Sequence, residues 1–267
     1  MLLGRARAAR RAVWGDDIEL CAIVNARSGA CGEDCAFCAQ SARYGANSRT
    51  YETLTPGEVA AQVASYTAYP VARVSLVTSG RGAPAGDEGE QICSAFEAAR
   101  EVAPGGLCAS LGMIDASMLE ELRARGVTRY HHNLETSRRF FPRICTTHTY
   151  DERVAVIAAA RDAGLDVCAG GIIGMGETWE DRIDLACELA ALGVDSVPLN
   201  FLDPRPGTPL ESAAPVTPAD ALRTIAIFRL LLPGAELRIA GGRARCLRDR
   251  QSWIFAAGAN GVMTGHY

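Results

Sequence analysis

The sequence predicts an α/β fold in which a parallel sheet is interleaved with helices. Three observations carry that reading. Short apolar runs recur eight times along the chain, separated by Ala- and Glu-rich amphipathic stretches. The 267 residues with 48% hydrophobic content suffice for one large domain with a substantial core, and no linker or low-complexity run divides them. Almost every apolar run ends in a polar or soft residue, and in a parallel barrel such ends converge on one mouth.

In chain order, strands are expected at 19–26, 72–78, 106–111, 128–133, 166–172, 196–201, 235–240 and, more weakly, 261–264. Helices are expected near 56–67, 88–102, 116–125, 150–163, 178–192, 217–231 and 249–257. Thr55 before Pro56, Asp115, Thr149, and Thr217 before Pro218 carry the side-chain oxygens that open helices. Gly126, Gly164 and Gly193 stand where helices close. Residues 1–18 are expected to form an N-terminal helical extension and 19–267 the domain proper. Eight parallel strands is the number that closes a barrel, although the pattern alone leaves a doubly wound open sheet as the alternative. The strand-end residues are Cys21 and Asn25, Ser75 and Thr78, Cys108, His131 and Asn133, Cys168, Asn200 and Arg238.

Charge is balanced at 27 basic against 31 acidic residues, which argues against a nucleic-acid or anionic-membrane partner. Every basic residue is Arg. With no Lys the chain cannot form a Schiff base, anchor pyridoxal phosphate or build a Walker-type phosphate loop. The N-terminal MLLGRARAARRAVWGDD lacks the apolar core of an export signal, and no apolar run approaches the roughly 18 residues of a membrane span. In a chain expected to be cytoplasmic, ten Cys read better as metal ligands than as disulfides.

The decisive segment is SGACGEDCAFCAQSARY, in which Cys31, Cys35 and Cys38 stand in C-x3-C-x2-C spacing directly after the first strand. Three thiolates on one loop can hold three irons of a cubane, which usually needs four. The next Cys is Cys93, so one iron would keep the open position that a reactive metal site requires. A structural zinc site is the alternative. It would need a second Cys pair or suitably spaced His, and His131, His132, His148 and His266 lack that spacing.

With Phe37 just before its last Cys, the triplet resembles the signature of the radical S-adenosylmethionine superfamily. The segments ACGEDCAFCAQSARY, RYHHNLETS, TTHTYDERV, VCAGGIIGMGET and SVPLNFLDPRPGTPL, in that order, resemble the biotin synthase family. The resemblance runs from about Glu19 to the C-terminus. It implies a complete (β/α)8 TIM-type barrel and a [4Fe–4S] cluster on Cys31, Cys35 and Cys38. The open iron of that cluster would chelate S-adenosylmethionine, and reductive cleavage would release a 5′-deoxyadenosyl radical. It further implies that Phe37 flanks this cofactor, that Asn133 and Glu135 meet its ribose, and that Arg153 pairs with its carboxylate. The backbone at Ile172 would border the adenine. Asn133 and Asn200 would hold the ureido ring of dethiobiotin, into which sulfur is inserted. A flavodoxin- or ferredoxin-type electron donor and a homodimer also fit the family.

For the sulfur-donating auxiliary cluster, the family pattern of three Cys and an Arg is matched by Cys108, Cys168 and Arg238. The remaining position falls on Ser75, so the usual [2Fe–2S] donor is put in doubt. Cys21 and Cys145 offer replacement thiols, and the expectation is a [4Fe–4S] auxiliary cluster on Cys21, Cys108, Cys145 and Cys168, with Arg238 a ligand or neighbour. Cys93 and Cys187 fall in helical patterns and are expected to be core residues, while Cys246 has no assigned place. The Arg cluster GRARCLRDR could grip an anion, and SRRFFPR could face a partner or cover the site. Alternative functions are a methylornithine synthase-like or hydrogenase-maturase-like member of the superfamily, or a non-catalytic iron–sulfur electron carrier. Both ends look short for the family, which puts full closure of the mouth in question.

Overall fold

The computed structural model describes residues 1–83 and 86–264. Its strands are β1 (Glu19–Arg27), β2 (Val71–Thr78), β3 (Gly106–Ser110), β4 (Val127–His131), β5 (Asp166–Cys168), β6 (Gly171–Ile173), β7 (Ser196–Phe201), β8 (Glu236–Ile239) and β9 (Gly261–Thr264). All pair in parallel, in the order β5-β4-β3-β2-β1-β9-β8-β7-β6. β5 also meets β7 at Cys168 and Ser196, which closes the ring. β5 and β6 are therefore two halves of one stave, so the barrel has eight staves and the open sheet is excluded.

The break in that stave has a steric cause. A Cβ on Gly170 would lie 2.0 Å from the Pro198 carbonyl oxygen, so the chain passes its neighbour too closely for a side chain. The freed Gly170 N–H donates to Asn133 Oδ1 at 3.0 Å, coupling the break to a predicted site residue.

The helices are α1 (Leu2–Trp14), α2 (Pro56–Ala64), α3 (Asp87–Val102), α4 (Ala116–Ala124), α5 (Tyr150–Asp162), α6 (Trp179–Ala191), α7 (Pro218–Leu231), α8 (Arg243–Leu247) and α9 (Trp253–Ala256). Thr55, Asp115, Thr149 and Thr217 cap their helices as expected. Thr55–Glu58, Thr149–Glu152 and Thr178–Asp181 form reciprocal capping boxes, each cap stabilising by about 1 kcal/mol. In place of the single helix expected at 249–257, the chain forms α8, a short 3-10 turn and α9. Gly242 enters α8 at φ 72°, where a Cβ would sit 1.7 Å from the Phe201 carbonyl oxygen. That tight passage starts the helical segment earlier than periodicity suggests.

α1 lies against α7 and α9, with Ala6 buried. Arg229 of α7 is wholly buried and donates to the carbonyls of Gly258, Leu232, Pro233 and Ala235 and to Asn260 Oδ1. One guanidinium thus satisfies several loop carbonyls that have no strand partner. No helix among the described residues is long and apolar enough to cross a membrane.

Candidate active site

The loop after β1 is long and irregular, yet it is tied down throughout. Ser28 pairs with Tyr51 and Cys31 with Ser41 as isolated bridges. Gly29 N donates to Gln40 Oε1 at 2.9 Å, and Arg43 Nε donates to the Gly32 carbonyl at 2.6 Å. Ala30, immediately before Cys31, is held at φ 52°, an uncommon region for a residue with a side chain. The loop is thereby shaped before any ligand arrives.

Cys31, Cys35 and Cys38 line one cavity of about 260 Å³ with Glu33, Asn133, Glu135, His148 and Arg153. A larger cavity of about 710 Å³ opens beside it, lined by Ile172, Asn200, Asp203, Arg205, Arg243 and Thr264, among others. Phe37, Cys38 and Gln40 belong to both walls, so the tip of the Cys loop is the partition between the two spaces.

Arg153, largely buried on α5, donates from Nε to His148 Nε2 at 2.9 Å and from Nη1 to the Asn133 carbonyl at 2.8 Å, with Glu135 Oε1 3.7 Å away. Glu135 adopts φ 69°, and burial pushes its carboxyl up despite the opposing charge of Arg153. Asn133 Nδ2 donates to Glu135 Oε2 at 3.3 Å. The Ile172 N–H donates to the Glu135 carbonyl at 2.8 Å, which ties the expected ribose and adenine residues to one backbone bridge. Asn200 accepts from Gly241 N at 2.9 Å and donates to the Gly171 carbonyl at 3.3 Å, so its amide is oriented before substrate enters.

Beneath these cavities, inside the barrel, Cys21 of β1, Cys108 of β3 and Cys168 of β5 lie close enough for their charges to interact. Ser75 is buried and pairs in register with Cys108. Burial pushes the Cys108 thiol up to about 12 and raises that of Cys21. Burial also acts upward on Cys168, but His131, whose Nδ1 is 3.3 Å from the sulfur, and the guanidiniums of Arg238 and Arg129 outweigh it and bring it down to about 7. Glu236, almost fully buried on β8, bridges Arg129 at 2.7 Å and Arg238. Arg238 Nε, Arg129 Nε and Ser196 Oγ are buried without a hydrogen-bond partner among the described residues. Three thiols among unpaired donors are a fitting environment for an anionic iron–sulfur cluster.

Cys145 departs from expectation. It lies in the loop ahead of α5, with its sulfur 3.8 Å from Cys35 Sγ and 3.3 Å from His148 Nδ1. The expected four-thiol set thus loses one member: Cys145 stands with the triplet, because the 140–148 segment folds over the Cys loop and not down into the barrel. Its anchors are the Ala36 N–H, which donates to the Ile144 carbonyl at 2.8 Å, and the Thr146 N–H, which donates to Asp34 Oδ1 at 2.9 Å. Cys35 Sγ donates toward Cys145 Sγ; that contact holds the Cys35 thiol up, and the same contact together with His148 holds Cys145 down.

Other expectations sort plainly. Cys93 is buried, whereas Cys187 is exposed on α6, so its helical position does not make it core. Cys246 is buried, with its sulfur 3.4 Å from the Val216 carbonyl. The SRRFFPR segment is not a free basic–aromatic surface. Phe140 and Phe141 are buried, Arg138 pairs with Asp151 and Glu188, and Arg139 pairs with Asp181. Glu33, His148, Arg129 and Glu236 were not foreseen. Glu33 lies inside the triplet and His148 three residues after a Cys, which is a signal in hindsight. The barrel charges show as Arg and Glu inside apolar strand runs.

Two family models match the chain. One, described as Radical SAM superfamily, covers residues 26–189; the other, Biotin and Thiamin Synthesis associated domain, covers residues 198–267. The chain is 49% identical to a biotin synthase of Trichlorobacter lovleyi over 100% of its own length and 80% of that protein. It is 50% identical to a biotin synthase of Heliobacterium modesticaldum over 100% of its own length and 81% of that protein.

The chain belongs to the biotin synthase family.

Membership in the superfamily brings a [4Fe–4S] cluster and S-adenosylmethionine as cofactors, and the biotin synthase family adds an auxiliary iron–sulfur cluster. Solved structures share the fold. A methylornithine synthase matches with TM-score 0.86 at 22% identity, over 98% of this chain and 76% of its own. A maturase of [FeFe]-hydrogenase matches with TM-score 0.84 at 17% identity, over 99% of this chain and 60% of its own. At those identities the likeness speaks for the barrel alone.

Proposed function

We propose that the chain is a biotin synthase, converting dethiobiotin to biotin by radical sulfur insertion. One observation carries the reading: a chamber lined by the Cys triplet adjoins a larger one holding Asn200, with a second set of thiols below. The cluster held by Cys31, Cys35 and Cys38 supplies, when bound, the electron that splits S-adenosylmethionine and so generates the hydrogen-abstracting radical. The protein's own residues do the rest. Arg153, held by His148 and the Asn133 carbonyl, offers its guanidinium to the methionyl carboxylate. Asn133 and Glu135 face the ribose, and Ile172 borders the adenine. Phe37 and Gln40 line both chambers and so stand where cofactor and substrate would meet. Asn133 and Asn200 supply the mixed donors and acceptors that a ureido ring needs.

Arg243 also faces the larger chamber. Its Nε donates to Gln251 Oε1 at 3.1 Å, and among the described residues no carboxylate pairs with it. Arg205 and Arg245, by contrast, are both paired with Asp203. Arg243 therefore suits the carboxylate tail of the substrate. Cys21, Cys108 and Cys168, with Arg238 beside them, would hold the auxiliary cluster, which would supply the sulfur. With three thiols present and Ser75 in the usual Cys position, a [4Fe–4S] type is favoured over [2Fe–2S]. Residues 1–18 act as a helical extension to the barrel of 19–267. The enzyme works in the cytoplasm with a flavodoxin- or ferredoxin-type donor.

Anaerobic protein reconstituted with iron and sulfide, then incubated with S-adenosylmethionine, dithionite and dethiobiotin, should yield 5′-deoxyadenosine and biotin. Release of 5′-deoxyadenosine that dethiobiotin does not stimulate would point to another superfamily reaction. No release at all would leave an electron carrier.

A further inference from the structure

Beneath the thiols of Cys21, Cys108 and Cys168 the barrel is closed by charge. Those three residues and Arg238 come from β1, β3, β5 and β8, which are alternate staves, as the members of one side-chain layer do in such a barrel. Side chains two residues apart on a strand share a face. Glu19, Asp166 and Glu236 therefore stand one layer lower, two residues before Cys21, Cys168 and Arg238. The fourth place in that lower layer is Gly106, where a Cβ would lie 2.8 Å from Arg73 Nη1, so a guanidinium fills the gap.

The charges alternate around a closed ring. Glu19 meets Arg73 at 3.7 Å, Arg73 meets Asp166 at 3.5 Å, and Asp166 meets Arg129 at 3.6 Å. Arg129 meets Glu236 at 2.7 Å, and Arg238 joins Glu236 back to Glu19, 3.8 Å away. Glu19, Arg73 and Asp166 touch solvent, whereas Arg129, Glu236 and Arg238 are buried. Arg129 commits Nη1 to Glu236 and turns Nη2 to Asp166, yet its Nε is buried with no partner among the described residues. A guanidinium stays protonated and carries donors only, so the direction of any bond it makes is fixed. A buried N–H left without an acceptor costs free energy that an acceptor would recover. Cys108 pairs in register with Arg129 on the neighbouring strand, and the Arg129 charge acts on all three thiols.

We propose that Arg129 is a donor to the auxiliary cluster, its Nε–H bonding a sulfur on the floor side of the cluster and thereby raising the cluster's reduction potential. This rests on the reading that Cys21, Cys108 and Cys168 hold that cluster. It adds to Arg238 a second guanidinium, one that the family pattern of three Cys and an Arg does not include. A donor to sulfur stabilises the reduced, more negative state more than the oxidised one, and such hydrogen bonds are among the factors that set these potentials. The ring keeps the donor in place, because Glu236 and Asp166 hold the far end of the guanidinium.

The test is an EPR-monitored redox titration of the reconstituted protein. The signal that S-adenosylmethionine leaves unchanged, and that Cys108→Ala removes, identifies the auxiliary cluster. Arg129→Lys keeps the charge that Glu236 and Asp166 face but puts a methylene where Nε stood. At a fixed potential its auxiliary cluster should show a reduced-to-oxidised ratio about three- to tenfold lower, a full tenfold being about 59 mV for one electron. The triplet cluster should stay at its wild-type midpoint. The double variant Arg129→Gln with Glu236→Gln removes one charge of each sign and returns an N–H near the Nε position, so its midpoint should lie close to wild type. Arg73→Lys, a change in the same ring that spares Arg129, should leave the midpoint unmoved. An unchanged midpoint in iron-replete Arg129→Lys overturns the proposal, as does a double variant no higher than Arg129→Lys or an equal fall in Arg73→Lys. If Arg129→Lys loses the auxiliary iron, the double variant decides: iron-replete and near the wild-type midpoint, it supports the donor role. If both lose that iron, Arg129 is a strut and the proposal fails. A wild-type signal that survives Cys108→Ala refutes the assignment of the barrel thiols to the cluster, a different failure.

Discussion

Replacing Glu236 by Gln should destabilise the cluster-free protein far more than the cluster-loaded one. Glu236 is buried between Arg129, at 2.7 Å, and Arg238. The isosteric amide keeps one acceptor and turns an NH2 group toward the other guanidinium. A charge-assisted hydrogen bond contributes about 1.5–3 kcal/mol, and removing one partner of a buried ion pair costs about 3–5 kcal/mol. The larger figure applies here, because two guanidiniums lose their nearest counter-charge and keep only the more distant carboxylates of Asp166, 3.6 Å from Arg129, and Glu19, 3.8 Å from Arg238. For a chain of this size, about 2–4 °C per kcal/mol converts that into a fall in Tm of roughly 6–20 °C. In the loaded protein, Arg129 and Arg238 lie near thiols whose pKa they already influence, and the cluster thiolates supply substitute negative charge. The fall should then be about half as large. Circular dichroism melts under argon, for wild type and E236Q before and after reconstitution, measure both differences. Equal falls in the two forms would refute the idea that this guanidinium pair faces the auxiliary cluster.

Cys21→Ser should reduce the iron of reconstituted protein from about eight to about four per chain while the S-adenosylmethionine-sensitive EPR signal persists; a full complement of iron would remove Cys21 from the ligand set. Arg243→Leu should raise KM for dethiobiotin about 10- to 100-fold, the equivalent of a charged hydrogen bond. Its KM for the dethiobiotin methyl ester should change little, and an equal rise for acid and ester would exclude a carboxylate contact. Burial acts to raise the Asp181 carboxyl, but Ser137, the Thr178 N–H and Arg139 outweigh it and hold it well below the usual carboxylate range. Its stability contribution is complete above the unfolded value, near 4, and is lost as pH falls through the lower folded value. Asp181→Asn should therefore cost about 1–2 kcal/mol at pH 7, a gap that narrows by pH 3 in urea unfolding. A constant gap would mean that the cap, and not the charge, matters.

The strand pattern was legible because each stave is an apolar run bounded by turn residues, and the expected and observed bounds agree within about two residues. The broken fifth stave was not legible, since the contact of Gly170 with Pro198 depends on a strand distant in sequence. The triplet could be read because its spacing is local. Cys145 was misplaced for the opposite reason: sequence shows that it follows the fourth strand, but not which way its loop folds. That direction is set by Asp34 accepting from the N–H groups of Thr146 and Thr147, contacts more than a hundred residues apart in the chain. The Glu236–Arg129–Arg238 bridge was hidden similarly, because Arg129 of β4 meets Glu236 of β8, 107 residues away in the chain, across the barrel.

One loop carries the thiols of Cys31, Cys35 and Cys38 and also forms the wall at Phe37, Cys38 and Gln40 between the two chambers. A displacement of that loop large enough to admit a bulky molecule on one side must therefore disturb the metal's surroundings on the other. An occupant of either chamber braces the same loop, so what fills one side firms the wall of the other.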